Sequence, residues 1–424
     1  MLAYRDLLET LAGRNRSGAE YTLDRIRALL AALDHPEQSF ASWLIAGTDG
    51  KGSVAAMLES IARSSGERSG LTISPHLNRL TERIVIDGRE VGADELAWAF
   101  ERIEAARAPL GIEASFFECL TAMTFALFAQ RGVTRAAVEI GLGGRLDANN
   151  VVPADGSAVV SIGLDHTEIL GPTLAAIATE KAHVARADRP LVVGRLAPEA
   201  LAAVRQVAAT IGARVVALDD HLRLTPTPRI QHPAGVVVLE PTLAGAHQLD
   251  NAGIAALLAL ETGYAPDAVV QGIRQVRWRG RLQRLDHGGR SFLLDGAHNV
   301  AAAHALGAAL RAQRVEAYLL VTATSGPRDA ALFVAALAEE AGWPLAVRTC
   351  EPHGHRLQTA VQVANRLREV APAAVEIEPF ATVESALTAP GPAPLTLVAG
   401  SLYLVGEALS ALAGEARDPI YPGR

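Results

Sequence analysis

The stretch AGTDGKGS, Ala46 to Ser53, decides the fold, because it joins an apolar strand pattern to a helical one. The run SWLIA before it has the character of a buried strand, and VAAMLESIARSSG after it has helical periodicity. Its three glycines allow backbone N–H groups to approach a phosphate closely. The helix N-terminus adds partial positive charge and Lys51 adds a full one. The stretch therefore predicts a phosphate-binding loop.

The spacing of this loop differs from the common pattern G-x-x-x-x-G-K-[ST], because Gly52 separates Lys51 from Ser53. Taken alone, the loop is also compatible with a glycine-rich strand-to-helix turn that exposes one lysine. The strand pattern before it and the helical pattern after it favour a nucleotide-binding loop.

The rest of the first part of the chain alternates strand and helix patterns. Near-continuous apolar strands separated by helices are typical of a buried, mostly parallel sheet covered on both faces. Residues 215–242 carry four prolines and predict a small antiparallel excursion, followed by helix at about 247–276. Strands are predicted at 42–46, 70–74, 136–140, 157–162 and 190–194, and helices at 22–34, 93–108, 116–131 and 172–184.

A second series of strand patterns occupies the last third of the chain, separated by Ala-rich helices. Its strands are predicted at 291–296, 317–323, 344–350 and 395–400. A length of 424 residues is that of two or three domains. We place the boundary in the polar stretch DHGGR, which gives two α/β domains, residues 1–288 and 289–424.

The composition excludes several classes of protein. A net charge of −7, with 20% charged and 50% hydrophobic residues, is typical of a folded globular chain. The acidic balance argues against a nucleic-acid partner. Cys119 and Cys350 are too few for a disulfide framework or a cysteine zinc site, and they fit a reducing cytoplasm. No secretory signal pattern or long apolar run predicts export or a membrane span.

Polar side chains follow two strand patterns at the edge where open α/β sheets bind ligands. Glu139 lies in AAVEI, and Asp165 and His166 follow SAVVSIG. Taken singly, Glu139 is better explained as a solvated strand-end carboxylate, and His166 as a capping or core histidine. Together, beside a phosphate loop, they favour a site where Glu139 holds Mg²⁺. An imidazole ligand would be unusual there, because Mg²⁺ prefers oxygen.

Three other segments offer candidate binding groups. GGRLDANN provides Arg145 and Asp147 after a glycine pair, or forms a plain turn. DGAHN places Asp295 to bind a ribose hydroxyl and His298 to face phosphates across a cleft, although Asp295 is alternatively a turn residue. Arg281 lies near the domain boundary, where a guanidinium is suited to gripping phosphate from the second domain.

Nine segments, in the same order and over nearly the whole chain, resemble the folylpolyglutamate synthase and dihydrofolate synthase family of the Mur ligase superfamily. One such segment would be a weak signal. Nine segments in the same order are a strong signal, and a chance resemblance does not explain them. The segments are AGTDGKGS (46–53), SPHLNRLTERIVIDG (74–88), FFECLTA (116–122), EIGLGGRLDANNV (139–151), GLDHTEILGPTLAAIATEKA (163–182), HQLDNA (247–252), WRGRLQRL (278–285), LDGAHN (294–299) and GSLYLVGE (400–407).

The resemblance implies an α/β fold with a P-loop N-terminal domain, its sheet mostly parallel, and a smaller Rossmann-like C-terminal domain. It implies ATP in the cleft between them, with Mg²⁺ (two ions expected) and K⁺. The implied activity is that of an ATP-dependent acid–amino-acid ligase, which converts a pterin-bound carboxylate to an acyl phosphate for attack by L-glutamate. The acceptor is dihydropteroate, a folate, or both. We expect a cytoplasmic monomer without nucleic-acid or membrane partners.

The resemblance also implies roles for individual residues. The implied ATP contacts are Asp49, Gly50, Lys51, Gly52, Ser53, Asn251, Arg281, Asp295 and His298. The implied metal ligands are Ser74, Glu139, His166 and a carbamylated Lys181. The expected substrate contacts are Phe117, Glu118, Arg145 and Asp147, of which Phe117 and Asp147 match positions that line the family's pterin pocket. The implied catalytic residues are Lys51, Lys181 and His166.

Four positions depart from the usual family pattern. Asp49 replaces the Asn of the phosphate loop, Asn149 replaces a Thr, and His183 replaces the Gly after EKA. The early pterin-contact segment, often Leu-Gly-Leu, begins with Tyr21. These departures leave Lys51 unchanged and cluster where the acceptor would lie. They keep open a related amide ligase with a non-folate acceptor, or a non-catalytic nucleotide-binding paralogue.

Overall fold

The computed structural model describes residues 3–14, 22–323, 329–353 and 358–420. Its first part is a mostly parallel sheet in the order β4-β3-β2-β5-β1-β6-β7-β8, with only β3 and β4 antiparallel to their neighbours. In chain order the strands are β1 (Ala41–Ala46), β2 (Ser69–Thr72), β3 (Ile84–Ile86), β4 (Arg89–Glu90), β5 (Arg135–Glu139), β6 (Gly156–Val159), β7 (Pro190–Val193) and β8 (Arg214–Ala217).

Strand β1 lies in the interior of this sheet, and its register positions the phosphate loop. Ile45 pairs with Glu139 of β5, and Ala46 pairs with Val159 of β6. The loop therefore leaves the sheet beside the carboxyl ends of both neighbouring strands, the edge where parallel sheets bind ligands.

The sheet separates two hydrophobic cores, because successive side chains of a strand point to opposite faces. In β1, Leu44 belongs to one core, while Trp43 and Ile45 belong to the other.

Short 3₁₀ turns occur at Pro36–Gln38, Leu80–Arg83, Ala108–Leu110 and Ala148–Val151. The helices are α1 (Tyr4–Ala12), α2 (Asp24–Ala31), α3 (Lys51–Ser64), α4 (Ala93–Arg107), α5 (Phe116–Gln130), α6 (Thr167–Leu170), α7 (Leu174–Ala182), α8 (Pro198–Ile211) and α9 (Leu218–His221).

The antiparallel excursion expected within 215–242 is present. Strands β9 (Leu222–Arg223), β10 (Arg229–His232) and β11 (Gly235–Val238) form a three-stranded antiparallel sheet. The helical stretch after it divides into α10 (His247–Glu261) and α11 (Pro266–Gln275). Proline fits the first turn of a helix and breaks its interior, so α11 begins at Pro266.

A six-stranded sheet organises the last third of the chain, in the order β12-β13-β17-β14-β15-β16, parallel except for β12. This sheet begins with β12 at Gln283. The proposed boundary at 288 therefore falls inside the sheet, in the turn between β12 and β13. The elements are β12 (Gln283–His287), β13 (Arg290–Leu294), α12 (Val300–Ala312), β14 (Leu319–Thr322), α13 (Ala330–Ala341), β15 (Ala346–Thr349), α14 (Ala360–Arg368), β16 (Glu376–Pro379), α15 (Val383–Thr388), β17 (Leu395–Ala399) and α16 (Leu402–Ala413).

The predicted α/β class is confirmed, and every predicted strand overlaps an observed one. The division into two domains remains a proposal, with the second sheet starting a few residues before the chosen boundary. Among the residues described, no helix combines the length and apolarity needed to cross a membrane.

Candidate active site

The phosphate loop joins β1 to α3 and turns at Gly50, whose φ of 82° lies in the left-handed region. A Cβ at this position would lie 2.6 Å from Asn251 Oδ1, on α10. Asn251 Nδ2 in turn donates a hydrogen bond of 3.0 Å to Gln248 Oε1. Backbone conformation and close packing thus both require glycine at this turn.

Ser161, just beyond β6, holds the loop from the opposite side. Its Oγ accepts a hydrogen bond from Asp49 N and donates one to Asp49 O, each 2.9 Å long. Thr48 N also donates to Ser161 O at 2.9 Å. The backbone of the loop is therefore fixed, and its remaining N–H groups are free to face a ligand at the N-terminus of α3.

Two lysines converge on the same loop. Lys51 Nζ donates to the carbonyl oxygens of Gly47 and Thr48, both at 3.1 Å. Lys181 Nζ, from α7, donates to the same Gly47 oxygen at 2.8 Å and is only 5% exposed. Burial, and then the neighbouring Lys51 charge, lower the pKa of Lys181 to about 7.

Glu139 ends β5 next to the loop, with its carboxylate buried. Glu139 Oε2 accepts a hydrogen bond of 3.1 Å from Ser74 N, just after β2. Burial raises the pKa of Glu139 above its ordinary value. The Lys51 charge and the Ser74 N–H act in the opposite direction, followed by the charges of Arg281 and Arg83. The Glu139 carboxylate offers the oxygen ligand that Mg²⁺ prefers, while the nearby Lys51 and Arg281 charges act against a second cation.

His166 has carboxylate neighbours of its own. It precedes α6 with a φ of 52°, and its side chain is 44% exposed. Its ring nitrogens lie 3.9 Å from Asp165 and 3.8 Å from Glu168. In the described part of the chain no group of three or more His, Cys, Asp or Glu side chains could hold a metal ion. The structure thus brings Ser74 and Glu139 into contact but gives His166 carboxylate neighbours of its own.

The expected pterin side is built around Asp147, which is buried between a loop and α5. Asp147 Oδ2 accepts hydrogen bonds of 3.0 Å from Gly141 N and Leu142 N. Burial raises the pKa of Asp147 to about 6, against the effect of these N–H groups. A Cβ on Gly141 would lie 2.8 Å from the Phe117 ring. Because Asp147 also contacts Gly141, Phe117 and Asp147 lie against the same residue of this loop.

Glu118 and Arg145, two of the expected substrate residues, form ion pairs with other side chains of the protein. Glu118 forms an ion pair of 3.0 Å with Arg25 and accepts a hydrogen bond from Ser115 N, which closes a capping box at the start of α5. Arg145 pairs with Glu180 at 2.9 Å. Both side chains therefore have partners within the protein.

The departures Asn149 and His183 also have local roles. Asn149 Nδ2 donates to the backbone oxygen of Glu139 at 2.7 Å, so it supports the end of β5. His183 Nδ1 lies 2.8 Å from Thr179 O at the C-terminal end of α7. Tyr21 lies outside the described residues.

Arg281 and Asp295 flank the first two strands of the second sheet, Arg281 before β12 and Asp295 after β13. Asp295 Oδ2 accepts from Leu282 N and Oδ1 accepts from Ala297 N, both at 2.9 Å. These bonds fix the turn after β13, in keeping with the alternative that Asp295 is a turn residue. A Cβ at Gly296 would lie 2.2 Å from Arg281 Nη1, so glycine leaves room for this guanidinium.

His298 follows this turn, and its Nδ1 lies 2.8 Å from Gly296 O. Ser53, on the opposite side of the cleft, is buried in the first turn of α3 and lies 3.4 Å from Gln248 Nε2. Gly52 packs between the Trp278 indole and Glu139 Oε2, which would lie 3.4 and 3.5 Å from a Cβ at this position.

Three residues of this region were not singled out from the sequence. Trp278 lines a cavity of about 600 Å³ that also borders Ser74 and Glu139. Arg83, which is buried, donates through Nε to His76 Nδ1 at 2.7 Å. Asn299 donates to Asp49 across the cleft. Each lies in a quoted family segment, and that position was the only signal available in the sequence.

Comparison with known proteins yields close relatives, although no family model matches the chain. A probable bifunctional folylpolyglutamate synthase/dihydropteroate synthase of Halobacterium salinarum is 35% identical over 410 residues, 93% of this chain and 49% of that protein. The chain thus spans about half the length of this relative. The dihydrofolate synthase/folylpolyglutamate synthase of Mycobacterium tuberculosis is 34% identical over 354 residues, 74% of this chain and 72% of that protein.

Solved structures match over nearly the whole chain. Escherichia coli FolC in complex with DHPP and ADP has a TM-score of 0.87 and 29% identity, covering 96% of this chain and 97% of that one. The bifunctional folylpolyglutamate synthase/dihydrofolate synthase of Yersinia pestis, complexed with AMPPNP and a Mn ion, has a TM-score of 0.85 and 29% identity. It covers 97% of this chain and 98% of that one.

Proposed function

The chain belongs to the folylpolyglutamate synthase and dihydrofolate synthase family, and from this premise we propose that it is an ATP-dependent ligase. The reaction joins the carboxylate of a pteroate or folate to the amine of L-glutamate. The single observation that carries the proposal is the convergence of Lys51, Lys181 and Glu139 on one phosphate loop. ATP and a divalent metal are the proposed cofactors, as in the relatives solved with ADP or with AMPPNP and Mn.

The first step transfers the γ-phosphoryl group. An oxygen of the acceptor carboxylate bonds to the γ-phosphorus, the bond to the β-phosphate oxygen breaks, and ADP leaves. This step is needed because a carboxylate is a poor electrophile, whereas phosphate is a good leaving group. Lys51, beside the loop carbonyls, is placed to offset the charge on the transferring group.

The second step forms the amide. The glutamate nitrogen attacks the acyl carbon, the carbon–oxygen bond to phosphate breaks, and the amine loses a proton. Water would hydrolyse the acyl phosphate, so the two domains must exclude it while the intermediate exists. Asp295 and His298 are the proposed ATP contacts on the second-domain side of that cleft, and Arg281, just before the boundary, is a third.

Ser74 and Glu139 would hold Mg²⁺, with His166 and a carbamylated Lys181 as further ligands. The bound ion would neutralise charge on the phosphates. The carbamate is supported by geometry, because Lys181 shares the Gly47 carbonyl with Lys51. Burial lowers the pKa of Lys181 to about 7, which makes the neutral amine available. Addition of this amine to CO₂, with loss of one proton, would place an anion beside the Lys51 cation.

The finer parts of the proposal concern conditions and assembly. We propose two Mg²⁺ ions, a K⁺ requirement, and a cytoplasmic monomer that acts on small molecules without nucleic-acid or membrane partners. Mass spectrometry of the intact protein under CO₂ tests for the carbamate on Lys181. Sedimentation velocity tests whether the protein is a monomer. A dimer or an unmodified Lys181 would contradict these parts and leave the ligase reaction standing.

The test of the proposed function is phosphate release with Mg-ATP and L-glutamate, comparing dihydropteroate, tetrahydrofolate and no acceptor. Release with dihydropteroate alone indicates a dihydrofolate synthase, and release with both indicates a bifunctional enzyme. Release with neither acceptor, from folded protein that still binds ATP, would overturn the folate reading. A different carboxylate that restores release would then identify a related amide ligase.

A further inference from the structure

We propose that Asn299 is a positioning residue that fastens the second domain to the phosphate loop through Asp49 and so sets closure of the cleft on the nucleotide. Asn299 Nδ2 donates a hydrogen bond of 3.0 Å to Asp49 Oδ1. The two residues are 250 positions apart and lie on opposite sides of the cleft. The inference rests on the proposed function only in taking ATP as the ligand.

The amide of Asn299 is held in one orientation. It is the N-cap of α12, and its Oδ1 accepts a hydrogen bond of 2.8 Å from Ala302 N. The oxygen is therefore used by the helix and the nitrogen is turned toward the carboxylate. An aspartate at 49 reinforces this choice, because an ionised carboxylate accepts hydrogen bonds and donates none.

The Asp49 end of the bond is equally rigid. Its backbone N–H and carbonyl are both bonded to Ser161 Oγ at 2.9 Å. The residue immediately precedes Gly50, the N-cap of α3, so the carboxylate lies between the N-terminal ends of α3 and α12. Both ends carry partial positive charge, which favours an anion between them.

The pair explains how a negative charge is accommodated in a phosphate loop. A carboxylate near bound phosphates repels them, and the usual family residue here is neutral. The Asn299 amide donates a charge-assisted hydrogen bond to this carboxylate and so offsets its charge. The same bond draws the turn that carries Asp295 and His298 toward the loop. Closure and nucleotide affinity are therefore coupled through one hydrogen bond.

A swap of donor and acceptor tests the coupling. Asn299→Asp keeps a good N-cap for α12 but opposes two carboxylates, so the Kd for ATP should rise at least about tenfold. Asp49→Asn removes charge beside the phosphates, so ATP should bind about threefold more tightly. In Asp49→Asn/Asn299→Asp the amide and carboxylate exchange places, and affinity should return to within about threefold of the single Asp49→Asn variant.

The readouts separate positioning from folding. ATP binding is measured by calorimetry without any acceptor, so the outcome does not depend on whether a folate is the substrate. Small-angle scattering of each variant should give a larger radius of gyration for Asn299→Asp and a native one for the double variant. Thermal unfolding reports loss of fold, and Asn299→Ser, which keeps the cap without the amide donor or a new charge, replaces Asn299→Asp if that variant unfolds.

Two results would overturn the proposal. One is wild-type ATP affinity in folded Asn299→Asp and Asn299→Ser. The other is a double variant as weak as Asn299→Asp, because the coupling between the two sites would then be absent. Absence of ligase activity in wild type, with the predicted ATP affinities intact, would instead count only against the proposed acceptors.

Discussion

The two sides of the cleft are built differently. On the first-domain side, Lys181 and Glu139 are each 5% exposed and bonded to backbone groups around one loop. On the second-domain side, Asp295 accepts hydrogen bonds from Leu282 N and Ala297 N, and Asn299 donates one across to Asp49. In the proposed reaction the first side would provide the electrostatics of phosphoryl transfer and the second side would provide closure.

Arg279 links the two domains at the same cavity that Ser74 and Glu139 border. Arg279 pairs with Glu82 and Glu90, both at 3.2 Å, and with Glu415 at 2.8 Å. Near the chain terminus, Asp418 accepts hydrogen bonds from Leu80 N at 2.7 Å and from Tyr4. The second domain is therefore held to the first by ion pairs and hydrogen bonds around this cavity, as well as by the bond between Asn299 and Asp49.

The largest effect is expected from Lys51→Ala. Removing one preorganised positive group that offsets developing charge should lower the rate of phosphate release at least about 100-fold. Arg205→Ala, which removes an exposed cation from α8, is the matched control and should retain the full rate. A near-normal rate in folded Lys51→Ala would show that the loop lysine has no part in transfer.

Lys181→Ala comes next and tests whether this lysine serves as an anionic ligand. Loss of a group that holds the metal should reduce activity about 10- to 100-fold. Added short carboxylic acids should restore part of it, because they can occupy the space vacated by the carbamate. Phosphate release is measured with and without acetate, and unchanged activity in the variant would remove the assigned role.

Gly50→Ala should have a smaller effect on activity and a clear effect on stability. Gly66 has the same φ of 82°, with nothing within 4 Å of a Cβ, so Gly66→Ala is a matched control. Both variants share the left-handed strain of about 1–2 kcal/mol, and Gly50→Ala adds the clash with Asn251. Chemical denaturation should show Gly50→Ala to be the less stable, with weaker ATP binding. Equal stability of the two would mean that the contact is not tight.

The smallest effects are expected from two ion pairs of different burial. Arg279→Ala leaves the largely buried Glu82 without its cation and should cost about 1–3 kcal/mol of unfolding free energy. Arg274→Ala breaks an exposed pair with Glu240 and should cost no more than about 1 kcal/mol. ATP affinity, measured by calorimetry, should stay within about threefold of wild type in Arg274→Ala, since neither Arg274 nor Glu240 borders the cavity. Equal unfolding free energies of the two variants would contradict the cost assigned to the Glu82 pair.

Much of the fold could be predicted because the central strands are buried on both faces. The strands β1, β5, β7 and β17 are mostly apolar and almost entirely buried, a pattern typical of interior strands. The edge strands β4, β12 and β16 were missed, because their residues are largely exposed and polar. The helical stretch at 247–276 was predicted in place, but its division at Pro266 was not.

In the site, too, features set by neighbouring residues could be predicted, whereas features set by packing could not. The loop and Glu139 follow from local pattern, because a strand end and a glycine turn are properties of neighbouring residues. The bond between Asp49 and Asn299 depends on how two domains dock, and no local pattern encodes that distance. Arg83 and Trp278 were not predicted for the same reason, because each reaches the site from a segment distant in sequence. The ion pair of Glu118 with Arg25 likewise emerges only from packing.

The central claim is that the acceptor carboxylate itself receives the γ-phosphoryl group. It is tested most directly with dihydropteroate or tetrahydrofolate carrying ¹⁸O in the carboxylate, incubated with Mg-ATP and L-glutamate. The account predicts that each released phosphate contains one ¹⁸O by mass spectrometry, while the amide keeps the other. Phosphate without ¹⁸O would show that ATP is hydrolysed by water, and it would contradict the account.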